Sequence, residues 1–190
     1  MKTLLISLIL ILLPFRNESG LPKIFQTNNA QSSMTIAGTS TLHDWEMEAS
    51  NLNGSMDLEI NKSTVELKSL KLTVPVKALK SGKSAMDNNA YKALKAEQHH
   101  SIKYELVSVS EQQKLSNGNY KMLSRGKLSV AGVSRILRIP ITLKSSNNGV
   151  EISGTTTFKM SDFKVEPPSF MMGAVSTGDE ITIKFSINYN

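Results

Sequence analysis

The sequence predicts an all-β fold: a closed antiparallel barrel of about eight strands with one short helix in a long connection. Three observations predict it. Apolar residues recur at every second position through most of the chain, Asn-Gly pairs punctuate the runs, and a single stretch switches to helical spacing. Period two gives a strand one apolar and one wet face. Closing such strands on themselves removes the exposed sheet edges.

The strands follow in order. Met34 and Ile36 alternate with polar neighbours, as do Trp45, Met47 and Ala49, then Met56, Leu58 and Ile60. Leu70, Leu72, Val74 and Val76 form the longest clean alternation. Ile102, Tyr104 and Leu106 follow, then Leu128 and Val130, then Leu137 to Leu143 at odd positions. Val150, Ile152, Thr156 and Phe158 precede a last run from Ile181 to Tyr189. Leu72, Val74, Tyr104, Leu106 and Phe185 are expected to face inward, and Lys71, Lys103, Glu105 and Lys184 to face water, since a one-residue slip reverses every face. The apolar parity switches between Val65/Leu67 and Leu70/Leu72, so a β-bulge is expected at Lys68 or Ser69. Asn53-Gly54, Asn117-Gly118, Asn148-Gly149 and Gly178-Asp179 read as turns.

Ser84 to Lys95, SAMDNNAYKALK, breaks the pattern. Met86, Ala90, Tyr91 and Leu94 share one helical face, and Ser84 or Asp87 is a candidate cap. Glu166 to Gly173 contains two prolines and then Phe170, Met171 and Met172 in a row. It reads as a loop, because proline removes backbone donors. Its apolar residues either plug one end of the core or cover a mouth.

The organisation divides into a leader over residues 1–20, a flexible lead-in over 21–32 and a barrel domain over 33–190. Lys2 precedes an apolar run from Leu4 to Leu13 broken only by Ser7. That run suits a cleaved signal peptide and is too short to span a bilayer, which takes about 20 residues. The implied address is periplasmic or secreted. There is no cysteine, so the core alone must hold the fold. The formal charge of +6 comes from scattered lysines rather than a block. No aromatic and basic stripe suggests nucleic acid as a partner. Transient contact with an anionic membrane surface is compatible with the charge, and a homodimer stays open.

Four segments carry a resemblance. They are GTSTLHDW (Gly38 to Trp45), the strand–loop–helix–strand stretch from Leu70 to Leu106 with its Met86-Asp87 helix start, GKLSVAGVSRILRIPITL (Gly126 to Leu143), and TTTFKMSDF (Thr155 to Phe163). Together they resemble the YceI-like family, the bacterial polyisoprenoid-binding proteins with a lipocalin-like barrel. Where that family often has Pro before the return strand, His99-His100 stand here. Where it commonly has Arg-x-Asp-Phe-Gly, this chain reads KMSDFK. The resemblance implies a barrel that encloses an isoprenoid or quinone-like chain, acting as a carrier or sequestering protein, with an apolar lipid as partner and no other cofactor. The expected lining is Trp45, Met47, Leu72, Val74, Tyr104, Leu106, Leu128, Phe158, Met160, Phe170, Met171 and Phe185. Tyr91, Tyr104 and Thr156 are candidate donors for a polar head.

The alternatives are a solidly packed barrel that works through its outer surface, or a His- or metal-dependent enzyme. His43 and Asp44 are sequence neighbours, which on a strand point to opposite faces. No nucleophile motif accompanies them. His99 and His100 lack the spacing that zinc sites use. No catalytic residue and no metal ligand is therefore assigned. The leader reading has a direct check: N-terminal sequencing of the exported protein should return a start between Asn17 and Gln26, and a start at Met1 would refute it.

Overall fold

Alternation becomes one continuous antiparallel sheet. The computed structural model describes residues 23–60, 64–146, 148–170 and 174–190. The leader expected over residues 1–20 lies outside them. Among the described residues twelve strands form: β1 (Lys23–Gln26), β2 (Ser33–Ser40), β3 (Trp45–Ala49), β4 (Asn53–Ile60), β5 (Val65–Pro75), β6 (Leu79–Lys80), β7 (Ser101–Lys114), β8 (Tyr120–Val130), β9 (Val133–Ser146), β10 (Gly149–Lys159), β11 (Ser169–Phe170) and β12 (Val175–Tyr189). One helix, α1 (Ser84–Ala93), lies between β6 and β7. The sheet runs β1-β4-β5-β7-β8-β9-β10-β12-β2-β3-β6, with β11 beside β12.

This path of eleven strands curls into a half-barrel, not the closed ring of eight strands expected. The reason is local. Three turns separate short strands along the path. A 3-10 turn at Asn29–Gln31 separates β1 from β2. Asn51, at φ 58°, turns the chain between β3 and β4. A second 3-10 turn at Val76–Ala78 separates β5 from β6. The first strand of the path meets β12 at a single bridge, Thr27 to Tyr189.

Several expectations are corrected at this level. The flexible lead-in is built into the sheet: β1 pairs with β4, and Gln26 and Asn190 exchange backbone hydrogen bonds. Its polar composition hid one buried anchor, Phe25. Asn53-Gly54 is not a turn but the start of β4, opposite Thr73 and Leu72. Gly178-Asp179 lies inside β12, where the pairing with β2 shifts register between Thr177 and Ile181. Neither Ser84 nor Asp87 caps α1, because Lys83 is the N-cap residue and its side chain makes no capping bond. Asn117-Gly118 does turn the chain between β7 and β8, with Gly118 at φ 84°. The bulge falls where the parity switch placed it. Ser69 pairs with Asp57 and Leu67 with Leu58, which leaves Lys68 as the extra residue.

The main core lies on the inner face. Met56, Leu143 and Ile152 are fully buried among Leu72, Val74, Met122, Ile139, Ile187 and Tyr189. Each such side chain contributes about 1.5–3 kcal/mol by leaving water. Lys71, Lys103 and Lys184 are exposed on the other face, and Glu105 pairs there with Lys127 at 2.8 Å. Two aromatic rings occupy space that cross-strand glycines vacate. The Tyr104 ring lies where a Cβ on Gly126 would sit, and the Phe185 ring crowds Gly154, its direct partner in the ladder. Glycine under an aromatic ring is a device for curving a sheet.

Leu72 is 9% exposed within this packed cluster. Leu72→Trp should therefore overpack the core and cost about 1–3 kcal/mol. Urea denaturation of the two proteins side by side checks this, and equal midpoints would show spare room at that depth.

Candidate functional site

The helix and the sheet do not close on each other completely. The apolar face of α1, formed by Met86, Ala90, Ala93 and Leu94, looks onto a cavity of about 380 Å³. Opposite it stand Ile36 of β2, Trp45 and Met47 of β3, and Ile181 and Ile183 of β12. Leu128 and Val130 at the end of β8 form one wall. Phe158 of β10 with Met160 and Phe163 of the 3-10 turn Met160–Phe163 form another. Phe158 and Phe163 meet edge-on, their ring centroids 5.2 Å apart. Phe163 is almost fully buried and joins Val165, Leu128 and Val130 in a second small core.

The polar members of the lining are Ser40, His43, Lys83, Asn89 and Thr177. Leu42, His43 and Lys83 are exposed although they line the cavity, so they mark its mouth. The arrangement can enclose an apolar chain and meet a polar end at the opening, as ligand cavities of about 300–1,000 Å³ do.

Five of the expected lining residues come together here: Trp45, Met47, Leu128, Phe158 and Met160. Leu72, Val74, Tyr104, Leu106 and Phe185 belong instead to the packed main core or pack against it, away from the cavity. Alternation assigns nine of these ten, all but Met160, to the inner face, but it does not tell which part of that face is filled. Met171 and Met172 lie outside the described residues. Phe170 pairs through its backbone with Val175, and Pro168 of the same loop lines the cavity. The wall contributed by Ile181, Ile183 and Ile36 was missed, although the same alternation carried its signal.

The expected head-group donors are occupied elsewhere. The Tyr104 hydroxyl donates to Ser124 Oγ at 3.1 Å, and Ser124 donates to the Ile139 carbonyl at 2.9 Å. Burial pushes the Tyr104 phenol above its ordinary pKa. The Tyr91 hydroxyl donates to the Leu79 carbonyl at 2.8 Å and accepts from Lys80 Nζ at 2.8 Å. Thr156 does not line the cavity.

Polar contacts fix the helix where apolar packing is thin. Asp87, 7% exposed, is the one buried residue of α1. Its Oδ1 accepts from the Ser81 hydroxyl at 2.7 Å and from the Ser81 backbone N–H at 2.8 Å. Lys80 Nζ lies 3.7 Å from its other oxygen. The Ser81 hydroxyl, the Ser81 N–H and the Lys80 charge together hold the Asp87 carboxyl below the ordinary carboxylate range. Because the Asp87 side chain bonds outward to the preceding loop, it ties Ser81 to the first turn of α1.

The histidines separate. The His43 ring lies in the loop before β3, with Nδ1 2.8 Å from the Asp44 carbonyl. His100 Nδ1 lies 2.9 Å from the Ala96 carbonyl. The His99 ring packs beside Gly132. Among the described residues no three His, Asp or Glu side chains gather as a metal-ligand cluster.

The chain is thus an all-β protein whose curled antiparallel sheet is roofed by one helix over an apolar cavity. The YceI-like domain model matches residues 25–189, and the chain belongs to that family. Solved structures of similar fold include BcnA of Burkholderia cenocepacia, at 15% identity and a TM-score of 0.68, covering 85% of this chain and 98% of that one. A polyisoprenoid-binding domain from Saccharophagus degradans, implicated in plant cell wall breakdown, is similar at 9% identity and a TM-score of 0.64, covering 87% and 97%. The Campylobacter jejuni YceI protein is similar at 20% identity and a TM-score of 0.51, covering 73% and 84%. No curated protein matches the chain in sequence.

The Asp87 contacts set a pH-dependent prediction. A carboxylate whose pKa is lowered on folding stabilises the fold above its unfolded value, near 4, and loses that effect as pH falls through the folded value. Asp87→Ala should cost about 1–3 kcal/mol at pH 7. The gap between variant and wild type should narrow below about pH 4. Denaturant titrations at pH 7 and pH 3 check both signs.

Proposed function

We propose that this chain is an exported lipid-binding protein that shelters an isoprenoid or quinone-like chain under α1 and acts as a carrier or sequestering protein. The cavity of about 380 Å³ with its almost wholly apolar walls is the observation that carries this reading. Removing apolar groups from water contributes about 0.8 kcal/mol per methylene, so such a site needs few polar contacts. The YceI-like family membership and the fold shared with a polyisoprenoid-binding domain support the choice of an apolar ligand. Export rests on the leader at the chain start. A binding role is favoured over catalysis because the cavity walls are almost wholly apolar and, among the described residues, no side-chain nucleophile and base are paired in its lining.

The packed-barrel alternative describes the half of the interior around Leu72 and Leu143, where side chains fill the space. It does not describe the half beneath α1. A large side chain placed in that half should displace ligand without overpacking the fold. Ala93 lines the cavity from the helix. Organic extracts of the protein purified from its own host should contain a single-chain lipid in near-stoichiometric amount by mass spectrometry. Ala93→Trp should lower that amount at least about tenfold, the equivalent of about two buried methylenes, while the melting temperature stays close to that of wild type. Lipid-free wild-type extracts that take up no added lipid would overturn the reading.

A further inference from the structure

Basic residues that lie far apart in the sequence meet on the outer face of the sheet through strand register. Lys71 of β5 pairs with Glu105 of β7, and Glu105 pairs with Lys127 of β8. Lys103 stands two residues from Glu105 on the same face of β7, and Arg125 two residues from Lys127 on the same face of β8. Arg125 pairs directly with Arg138 of β9. All five cations are exposed. We infer that this face of β5, β7, β8 and β9 docks the protein on a bilayer surface rich in anionic phospholipid, whatever the cavity holds.

The charge on this face is not balanced from within. Glu105 is the one carboxylate among the five cations. The hydrogen bond from Lys127, at 2.8 Å, and the charges of Lys127, Lys71 and Lys103 hold it below the ordinary carboxylate range. The other acids of these and the adjoining strands, Glu66, Glu111 and Glu151, stand at the margins, and Glu151 faces Lys144 at 3.8 Å. Arg125 and Arg138 form no ion pair among the described residues. Like charges directly opposite in an antiparallel pair destabilise it. Phosphate oxygens between the two guanidinium groups would turn that repulsion into attraction, since each guanidinium bonds two oxygens at once.

Apolar side chains on the same face decide between kinds of anion. Ile136, the ladder partner of Lys127, is 46% exposed. Val107 is the extra residue of a bulge next to Ser108, the partner of Arg125, and is 53% exposed. Leu123 and Pro140 pair with each other beside the two arginines. A soluble polyanion would meet the cations and leave Ile136 and Val107 in water. It would also find no aromatic side chain at the outward positions of β7, β8 and β9 on which bases or sugars could stack. The headgroup layer of a bilayer takes both kinds of residue, phosphate meeting Lys and Arg while apolar side chains reach the acyl boundary. Ile102 and Leu128, which line the cavity, alternate with the outward Lys103 and Lys127. Docking therefore sets one wall of the cavity against the membrane.

The test is co-sedimentation of the full-length protein with vesicles of phosphatidylcholine alone and with vesicles in which one third of the lipid is phosphatidylglycerol. At about 0.1 M salt exposed charges still act over about 10 Å, and the anionic vesicles should bind at least about tenfold more tightly than the neutral ones. Raising the salt to about 0.5 M should remove most of that difference. Arg125→Gln with Arg138→Gln should weaken binding to the anionic vesicles about twentyfold, at about fivefold per cation. Lys92→Gln with Lys164→Gln removes the same charge from exposed positions elsewhere and should change it less than about twofold. The arginine variant should melt at or above the wild-type temperature, because a like-charge pair has gone. If it melts lower, Lys71→Gln with Lys103→Gln carries the same expectation. Ile136→Ser should weaken vesicle binding about fourfold and leave binding to dextran sulfate unchanged. Lipid in organic extracts of the arginine variant should match wild type, so the cavity reading stands or falls separately. Equal binding to the two vesicle types, or equal losses in the two charge-matched variants, would overturn the inference. Binding to dextran sulfate without binding to anionic vesicles would overturn it in favour of a soluble polyanion.

Discussion

A strongly curled sheet has an inner face that must be filled, and how this one is filled determines everything else about the molecule. An unfilled void forfeits dispersion contacts on every atom that lines it. At one end the sheet supplies the filling itself, with Met56, Leu143, Ile152 and Tyr189 at full burial. Gly126 and Gly154 let the backbone bend there, and the Tyr104 and Phe185 rings take the room so released. At the other end a helix from a long connection supplies the cover instead. A ten-residue helix that lines the cavity with three alanines is a poor plug. The remaining hollow is what a ligand would have to fill.

That division explains how α1 is attached. A helix over a hollow gains little from apolar burial, so other contacts must set its position. Tyr91 reaches the backbone carbonyls of Lys77 and Leu79, Lys80 bonds the Tyr91 hydroxyl, and Asp87 bonds Ser81. All of these tie the helix to the segment just before it. They fix its entry without requiring a packed underside. The helix is therefore held mostly by local contacts, in a part of the fold where the cost of local opening is lower than in the sheet core.

Much of this was legible in the residues. Strict alternation from Leu70 to Val76 and from Ile181 to Tyr189 defined inner and outer faces, because a sheet side chain has only two directions available. The parity switch near Lys68 located a bulge for the same reason. The helical spacing of Met86, Ala90 and Leu94 marked α1 and its apolar face. What stayed hidden was depth. Trp45 and Leu72 carry the same inward signal, yet one borders open space and the other is locked in the core. The difference is set by where a helix distant in sequence comes to rest and by which glycines face which rings. The split strands were hidden too. Pro75 stands at the start of the turn at Val76–Ala78, yet the alternation runs on through Val76 and masks it, whereas Gly54 and Gly178 announced turns and lie within strands.

The place of β12 in the sheet has a consequence for how the molecule comes into being. This strand lies between β10 and β2, so it joins the last residues of the chain to some of the first. Its pairing of Phe185 with Met34 spans most of the sequence. Contacts of such long range form slowly, because the entropy of closing the intervening loop is lost before they reward it. Ile181 and Ile183 are also one wall of the cavity. Until the C-terminal strand has docked, β2 is paired only with β3 and the hollow beneath α1 has an open side. The cavity is thus among the last features to be completed, and a chain cut short by its final strand would keep most of its residues while losing one wall of that space.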